Sequence, residues 1–302
     1  MTTKFASKEI HFLKTDSEQS EFQPPERYFS DLLLTKPSLF RTFNKNFKAI
    51  LLHEESFLCA ALHLIAHEPD DTQANAKKVF ESTFKKLVKH EQGVWKNIDD
   101  TAFILGLRGY QNEEQAANII SQLKESLSQN SYFDVIIGTA MFPCLNYPQT
   151  QIPVNALKAL DHAAFFGASA LVSFDALSLN ISGDRLYHLN HYNLAIKEYK
   201  EGLKMKPDDN NMLNSLGVCF AISGELKKAR KAFNSALKSR QDELISIYNI
   251  GLLHQIEGES DKAMDYFKKA HNIDNSVFEV ELLLAYLFFK KQEYKKAMPY
   301  LN

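Results

Sequence analysis

A 34-residue period of small and aromatic residues dominates the C-terminal part of this 302-residue chain. One position of the period is always alanine: Ala195, Ala229, Ala263 and Ala297. A second position holds glycine three times and then alanine: Gly183, Gly217, Gly251 and Ala285. A third position holds large residues: Tyr199, Phe233, Phe267 and Leu301. A fixed period of this length predicts pairs of helices that stack on their neighbours and bury one continuous core.

The period also predicts where the helices meet and end. Small residues such as Gly217 and Ala229 are expected where the two helices of a pair approach closely. Gly224 and Gly258 can end a first helix at low steric cost, and Pro207 cannot continue the second helix of the first copy. The copies are expected at 176–209, 210–243 and 244–277, with a fourth from 278.

The fourth copy stops inside its second helix. A stack of repeats normally ends in a polar cap, whereas Tyr300 and Leu301 close this sequence. We expect either that the sequence is cut from a longer protein or that this half-repeat pairs with a partner or a second copy.

These residues resemble the tetratricopeptide repeat (TPR) family over about 176–302. In that family, peptides bind a concave surface formed by the first helices of the repeats. The resemblance implies these partner-binding positions: Asn180, Asp184, Tyr187, Asn214, Val218, Tyr248, Asn249 and Leu252. Asparagine suits an extended peptide because its amide offers the peptide backbone both a donor and an acceptor. The alternative is that these are ordinary solvated helix positions.

One familiar binding mode is not expected. Chaperone-binding members of the family hold a C-terminal carboxylate with a set of Lys, Arg and Asn residues. The corresponding positions here are Asn180, Asp184, Asn214 and Ser215. The groove is therefore not expected to bind an acidic chain end.

Charge and cysteine usage exclude several classes of protein. The net charge is −2 and no basic stripe points to nucleic acid. Cys59, Cys144 and Cys219 are far apart and lack metal-ligand spacing, so they are expected to be buried thiols in a reducing compartment. The apolar run near 57–66 is too short to span a bilayer. The sequence therefore predicts a cytoplasmic protein without membrane insertion.

The N-terminal half has a different pattern. Residues 1–27 are expected to be a polar arm or linker, in which residues 10–13 add an edge strand or stay mobile. From 28 to 175, helices are predicted at 39–52, 73–90, 113–127 and 154–167. Strands are predicted at 57–66, 102–107, 133–141 and 171–174. This order predicts an α/β domain with a helix-covered sheet, followed by an all-α array at 176–302.

The order of several short motifs in this half resembles the GGDEF domains of diguanylate cyclases, in a degenerate form. The opening-helix residues are Leu34, Thr35, Arg41, Thr42, Phe43 and Asn44. A later strand and turn, 136–143, resembles the family's SxGxAxxP motif. The small residues of the closing helix are Ala156, Ala159, Ala163 and Gly167. Residues 98–102 stand where the GGDEF sequence itself would be, and 103–105 continue as its strand.

Departures from the family pattern predict that this domain is not an enzyme. Ile98 and Asp99 replace the two glycines that let the backbone approach the nucleotide, and Thr101 replaces the metal-binding glutamate. The strand 62–66 lacks the family's metal-binding aspartate, and the inhibitory RxxD site expected near 89–92 is also lost. Ala164 replaces the lysine of the closing helix. No cyclase activity, cofactor or metal is expected.

Three other clusters could carry chemistry and are disfavoured. His63 and His67, with Glu68, Asp70 and Asp71 nearby, have helical metal-ligand spacing on a segment that is predicted to be a strand. The pair Asp99–Asp100 could hold a cation but fits a turn. Asp161–His162 has no serine or cysteine placed by any motif to complete a catalytic triad.

The sequence predicts a non-catalytic scaffold or adaptor whose TPR groove binds a segment of another protein. The α/β domain would position that segment or form a homodimer. The alternative is a switch that binds GTP or cyclic diguanylate and changes TPR binding. A third and weaker alternative is an enzyme that uses the cleft of the GGDEF-like domain.

Overall fold

The structure is a computed structural model. It describes residues 12–13, 24–51, 53–67, 73–88, 92–110, 112–129, 133–240 and 243–301. By its internal contacts the chain divides into two units. The first, here called the sheet unit, is Glu18–Ser182. The second, here called the repeat unit, is Gly183–Asn302 together with Met1–Ser17.

The sheet unit is built on a mixed sheet. In the described part of the unit the strands are β1 (Phe57–Ala66), β2 (Gly93–Asn97), β3 (Ala102–Arg108), β4 (Phe133–Phe142) and β5 (Leu171–Ser173). Their order across the sheet is β2-β3-β1-β4-β5. Only β5 pairs in parallel with its neighbour among these strands, and the other pairs are antiparallel.

Helices cover both faces of the sheet. They are α1 (Leu32–Thr35), α2 (Pro37–Leu51), α3 (Gln73–Leu87), α4 (Glu113–Ser128) and α5 (Ile152–Ala164), with a short 3-10 helix at Phe29–Asp31. Successive residues of β1 point to opposite faces, because side chains alternate along a strand. Phe57 and Cys59 join one buried cluster with α2 and α5, whereas Leu58 and Ala60 join another with α3 and α4.

The predicted helices and strands of the sheet unit are confirmed to within a few residues at each end. The strand predicted at 57–66 has the observed bounds. Its apolar run, interrupted only by His63, reflects burial on both faces. β2 was missing from the sequence prediction because its residues neither alternate in polarity nor form an apolar run. In the structure β2 lies at the edge of the sheet, half-buried, beside β3.

The repeat helices follow in pairs. Their bounds are α6 (Ala176–His188), α7 (Tyr192–Met205), α8 (Asn210–Ile222), α9 (Leu226–Ser239), α10 (Leu244–Ile256), α11 (Ser260–Ile273), α12 (Phe278–Lys290) and α13 (Tyr294–Ala297). Tight turns join the two helices of a pair. Gly224 and Gly258 adopt φ values of +78° and +82° there, which L side chains rarely take. Asn190 and Gln292 hold the same left-handed position in the first and fourth pairs, each at φ +61°.

The periodic glycines receive aromatic rings from the next helix. A Cβ atom at Gly217 would overlap the ring of Phe233, and one at Gly251 would lie 2.7 Å from Cε1 of Phe267. Both rings are fully buried. Glycine therefore recurs every 34 residues because an aromatic ring packs directly against it. This is a more specific reason for glycine than the close approach of the helix axes alone.

Two further sequence predictions can be compared with the fold. Cys59 and Cys219 are buried free thiols, as predicted, whereas Cys144 is only half-buried. Within the described ranges, no helix is both long and apolar enough to cross a membrane.

Candidate functional site

Two buried asparagines of neighbouring first helices meet in the repeat unit. Asn214 of α8 is 1% exposed and Asn249 of α10 is 0% exposed. Asn249 Nδ2 donates a hydrogen bond to Asn214 Oδ1 at 2.9 Å. We call this pair the asparagine clamp. Neither residue is an ordinary solvated helix position.

Side-chain caps fix the first turns of the two helices that carry the clamp. The Asp209 carboxylate accepts from the Met212 amide at 3.0 Å at the start of α8. The Glu243 carboxylate accepts from the Ser246 amide at 2.6 Å at the start of α10. Each cap satisfies a backbone donor that the helix itself leaves unpaired. The two helices therefore begin one repeat apart and present their asparagines side by side.

The clamp holds one residue of the N-terminal segment by its backbone. Leu13 N donates to Asn249 Oδ1 at 3.0 Å. The carbonyl oxygen of Leu13 accepts from Asn249 Nδ2 at 2.8 Å and from Asn214 Nδ2 at 3.1 Å. Both backbone groups of Leu13 are thus paired with side-chain amides. This pattern also fixes which end of each amide is nitrogen and which is oxygen.

The side chains next to this contact are apolar. The ring of Phe12 stacks on the ring of Phe233, with centroids 6.4 Å apart and planes at 21°. Phe12 and Leu13 also pack against the buried cluster that includes Ile247, Val280 and neighbours of α10 to α12. Polar contacts with the backbone of Leu13 therefore lie beside apolar contacts with the side chains of Phe12 and Leu13.

The other predicted groove residues have different places. Val218, Tyr248 and Leu252 are buried in the repeat core, where the Tyr248 ring lies 5.7 Å from that of Phe267. Asp184 accepts a hydrogen bond from the Tyr199 hydroxyl at 2.7 Å.

Two predicted positions lie apart from those core residues. The ring of Tyr187 packs against that of Tyr192. Asn180 belongs to the sheet unit, and its buried amide oxygen has no hydrogen-bond partner in the described structure.

Sequence reasoning did not place Phe12 and Leu13 at these repeats. It predicted that residues 10–13 add an edge strand or stay mobile. The described residues of that stretch, Phe12 and Leu13, lie against the repeats without regular secondary structure. Residues 10 and 11 lie outside the described residues. The only available signal was an apolar pair in a polar arm.

In the sheet unit, the guanidinium of Arg27 contacts the turn between β2 and β3. Arg27 forms a salt bridge with Asp99 and lies 4.8 Å from the centre of the Phe29 ring. The ring of His63 lies 4.8 Å from the same phenyl ring. Burial, and then the charge of Arg27, lower the pKa of His63 to about 4. The turn carboxylate is thus already neutralised by a protein cation.

Asp161 connects α5 to the short 3-10 helix at Phe29–Asp31. Its carboxylate accepts hydrogen bonds from Phe29 N at 2.6 Å and from Ser30 N at 3.1 Å. Burial raises the pKa of Asp161 to about 7, against the opposing effect of these bonds. Asp161 therefore positions the opening segment and does not face an open cleft.

His162 has a serine neighbour that no sequence motif indicates. His162 Nδ1 lies 3.1 Å from Ser178 Oγ, and Asp175 accepts from that hydroxyl at 2.9 Å. Asp175 also accepts from the Ser178 amide at 2.8 Å, which is a helix-cap arrangement. Ser178 is 0% exposed, so a substrate cannot reach its hydroxyl. The three residues form a structural cap.

The histidines that the sequence offers as possible metal ligands contact other side chains of the protein. His63 lies on a strand, as predicted, and its ring contacts Phe29. His67 pairs with Asp134 at 3.2 Å, and Glu68, Asp70 and Asp71 lie outside the described residues.

A second group of possible ligands lies in the repeat unit, at His254, Glu257 and Glu259. Arg230 donates to Glu257 and lies 2.9 Å from His254 Nε2. A guanidinium at that point disfavours a cation.

The repeat unit matches known families over most of its length. Two family models, both described as tetratricopeptide repeat, match residues 182–243 and 245–276. No curated protein matches the chain.

Three solved structures illustrate the similarity. MamA from Desulfovibrio magneticus RS-1 is 19% identical over 42% of this chain and 71% of its own, with a TM-score of 0.38. The first TPR of Spaghetti (RPAP3), bound to the HSP90 peptide SRMEEVD, is 15% identical over 39% and 94%, with a TM-score of 0.37. The Sgt2 TPR domain from Aspergillus fumigatus is 17% identical over 40% and 81%, with a TM-score of 0.37. The two family models identify the helix pairs of residues 182–243 and 245–276 as tetratricopeptide repeats, as the 34-residue period predicts.

Proposed function

We propose that this protein is a non-catalytic adaptor that holds an extended segment of a partner protein against its TPR helices. The observation that carries the proposal is the asparagine clamp. It pairs with both backbone groups of Leu13, as it would with any extended residue of a partner. TPR domains are in general interaction modules, which supports the same reading.

The clamp suits a partner segment because its bonds go to groups that every peptide has. Three hydrogen bonds join the two amides to Leu13. A typical hydrogen bond contributes about 1 kcal/mol net, and an unpaired buried amide costs about 1–3 kcal/mol. These three bonds favour an extended backbone in the groove, and the apolar contacts beside them select among segments.

In this proposal the sheet unit is an inactive relative of GGDEF domains that positions the bound segment or forms a homodimer. Residues 98–101 form the turn between β2 and β3, and Ile98 is buried there. The salt bridge from Arg27 uses Asp99, one of the two turn carboxylates that a cation would need. Incubation of the pure protein with GTP and Mg²⁺ should give no cyclic diguanylate.

The same pairing counts against the nucleotide-responsive alternative, since a phosphate-bound cation would have to displace Arg27. The proposal keeps residues 28–175 as the GGDEF-like domain and 176–302 as the repeat array. It places the protein in the cytoplasm and includes no cofactor and no nucleic acid.

The test selects peptides from a displayed random library on the immobilised full chain. Dissociation constants of the selected peptides are then measured for the wild type and for Asn249→Ala. We expect Asn249→Ala to weaken binding of these peptides at least about tenfold. A tenfold change in the dissociation constant corresponds to about 1.4 kcal/mol, and the substitution removes more than one hydrogen bond. Asn234→Ala, an exposed asparagine of α9, is the matched control and should change nothing. Selected peptides that bind Asn249→Ala as tightly as wild type would rule the proposal out.

A further inference from the structure

We propose that Phe12–Leu13 is an intramolecular ligand of the asparagine clamp. The partner segment that displaces it would then carry an aromatic residue followed by leucine in an extended backbone. This inference rests on the proposed function, since it names the class of segment that the groove accepts. It adds that the groove is occupied by the chain itself until such a segment competes.

The backbone contacts show an occupied binding site. Asn249 uses its oxygen for Leu13 N and its nitrogen for both Leu13 O and Asn214 Oδ1. The nitrogen of Asn214 also donates to Leu13 O. Removal of Leu13 would break the three hydrogen bonds that its backbone makes with the two amides. The clamp pairs with both the N–H and the C=O of a single residue, as a peptide-binding site pairs with its ligand.

The side-chain contacts make the site selective. Phe12 stacks on Phe233, a ring that is itself seated on Gly217. The Phe233 ring is buried against Gly217 and offers a flat surface to a flat side chain. Stacked aromatic pairs contribute beyond the area that they bury. Leu13 adds apolar contact with the adjoining repeat core. An aromatic–leucine pair therefore fits, and a pair of small or charged residues does not.

An intramolecular ligand lowers the apparent affinity of the groove for partner segments. A tethered segment competes at an effective concentration set by its linker, on the order of millimolar for short flexible tethers. A free segment of equal intrinsic affinity therefore binds the wild-type chain with an apparent affinity reduced by the occupied fraction. The partner must bind more tightly than Phe12–Leu13 or be present at high local concentration.

The experiment uses the full chain and a fluorescein-labelled synthetic peptide of residues 8–17. Fluorescence polarisation gives the dissociation constant for the wild type and for Phe12→Ala/Leu13→Ala, in which the tethered ligand is weakened. The double variant should bind the peptide at least about tenfold more tightly than wild type, because the competitor is removed. Adding Asn249→Ala to the double variant should abolish that gain. A control peptide with alanine at positions 12 and 13 should not bind.

The inference is overturned if the double variant and wild type bind the peptide equally, or if the control peptide binds as well as the native one. Should Asn249→Ala unfold the repeats, as judged by circular dichroism, Asn214→Ala replaces it and should reduce the gain. Sedimentation is run alongside. Dimers that dissociate in the double variant would identify a second copy as the donor and refute an intramolecular ligand.

The two proposals can fail separately. No gain in the double variant, together with library peptides that depend on Asn249, would remove only this inference. A clear gain, together with no library peptide that depends on Asn249, would remove the adaptor function and leave Phe12–Leu13 as an internal staple.

Discussion

The sheet unit and the repeat unit both use a glycine to bring elements into contact, but the neighbours differ. At Gly138 of β4, an added Cβ would overlap backbone atoms of Leu160 and Ala159 in α5. At Gly217 of α8, its nearest neighbours would all be side-chain ring atoms of Phe233. A ring can rotate or shift, whereas the backbone of a buried helix cannot move without its neighbours. The sheet unit should therefore tolerate change at its glycine far less than the repeat unit.

The two units also bury different polar groups. The sheet unit holds the half-buried His63 and the buried Asp161, whose pKa values burial has moved to about 4 and about 7. The site of the repeat unit is built from Asn214 and Asn249, which do not titrate. The stability of the sheet unit should therefore respond to pH, and binding by the clamp should not.

The largest expected effect is that of Gly138→Ala. The new methyl group would collide with the backbone of α5, so either the helix or β4 must move. We expect a loss of at least about 4 kcal/mol in the free energy of unfolding, the range reserved for severe core disruption. Chemical denaturation followed by circular dichroism measures it. A loss of under about 1 kcal/mol would show that α5 can shift away from β4.

The next effect is that of pH on the sheet unit through His63. Its folded pKa of about 4 lies below its ordinary value of 6.5, so the unfolded chain binds the proton more readily. The stability linked to His63 is therefore present above about pH 6.5 and lost as the pH falls to about 4. Wild type should lose about 3 kcal/mol more than His63→Leu between pH 7 and pH 4.

Denaturation curves of the two proteins at both pH values test this difference. Asp161 acts in the opposite sense, because its raised pKa makes its contribution fade as the pH rises towards about 7. The comparison with His63→Leu cancels that contribution, since both proteins retain Asp161. His53→Leu, at an exposed position, is the control. Equal pH dependence in wild type and His63→Leu would contradict the burial of His63.

Gly217→Ala should have the smallest of the three effects. Displacing the ring of Phe233 is an overpacking change of about 1–3 kcal/mol. A second change, Phe233→Leu, should recover part of that loss because the smaller side chain leaves room for the methyl group. If the double variant is less stable than the sum of the two single changes predicts, the ring-on-glycine contact does not explain the period.

The repeat helices were accessible from sequence because their contacts recur. The contact between Gly217 and Phe233 occurs three times along the chain, once in each of three repeats. The spacing of the repeats can therefore be recognised from the sequence alone. The strands β1, β3 and β4 were also predictable, since runs such as 57–66 are apolar on both faces. β2 was not, because Trp95 and Lys96 at a sheet edge carry no regular pattern.

The site was only half predictable. Asn214 and Asn249 follow from their place on the first helices, but their mutual hydrogen bond and their contact with Leu13 join residues far apart in the chain. Nothing in the local sequence around Phe12 and Leu13 specifies such a partner. Long-range pairing of this kind depends on the whole repeat stack, which positions both amides before a segment can bind.

The most direct test of the central claim is the hydrogen exchange rate of the Leu13 backbone amide in the wild-type chain, measured by nuclear magnetic resonance. That amide donates to a fully buried side-chain oxygen of Asn249. The account predicts exchange at least about tenfold slower than in the free peptide of residues 8–17, with loss of that protection in Asn249→Ala. Exchange at the rate of the free peptide would mean that the clamp does not hold an extended segment, and the account would fail.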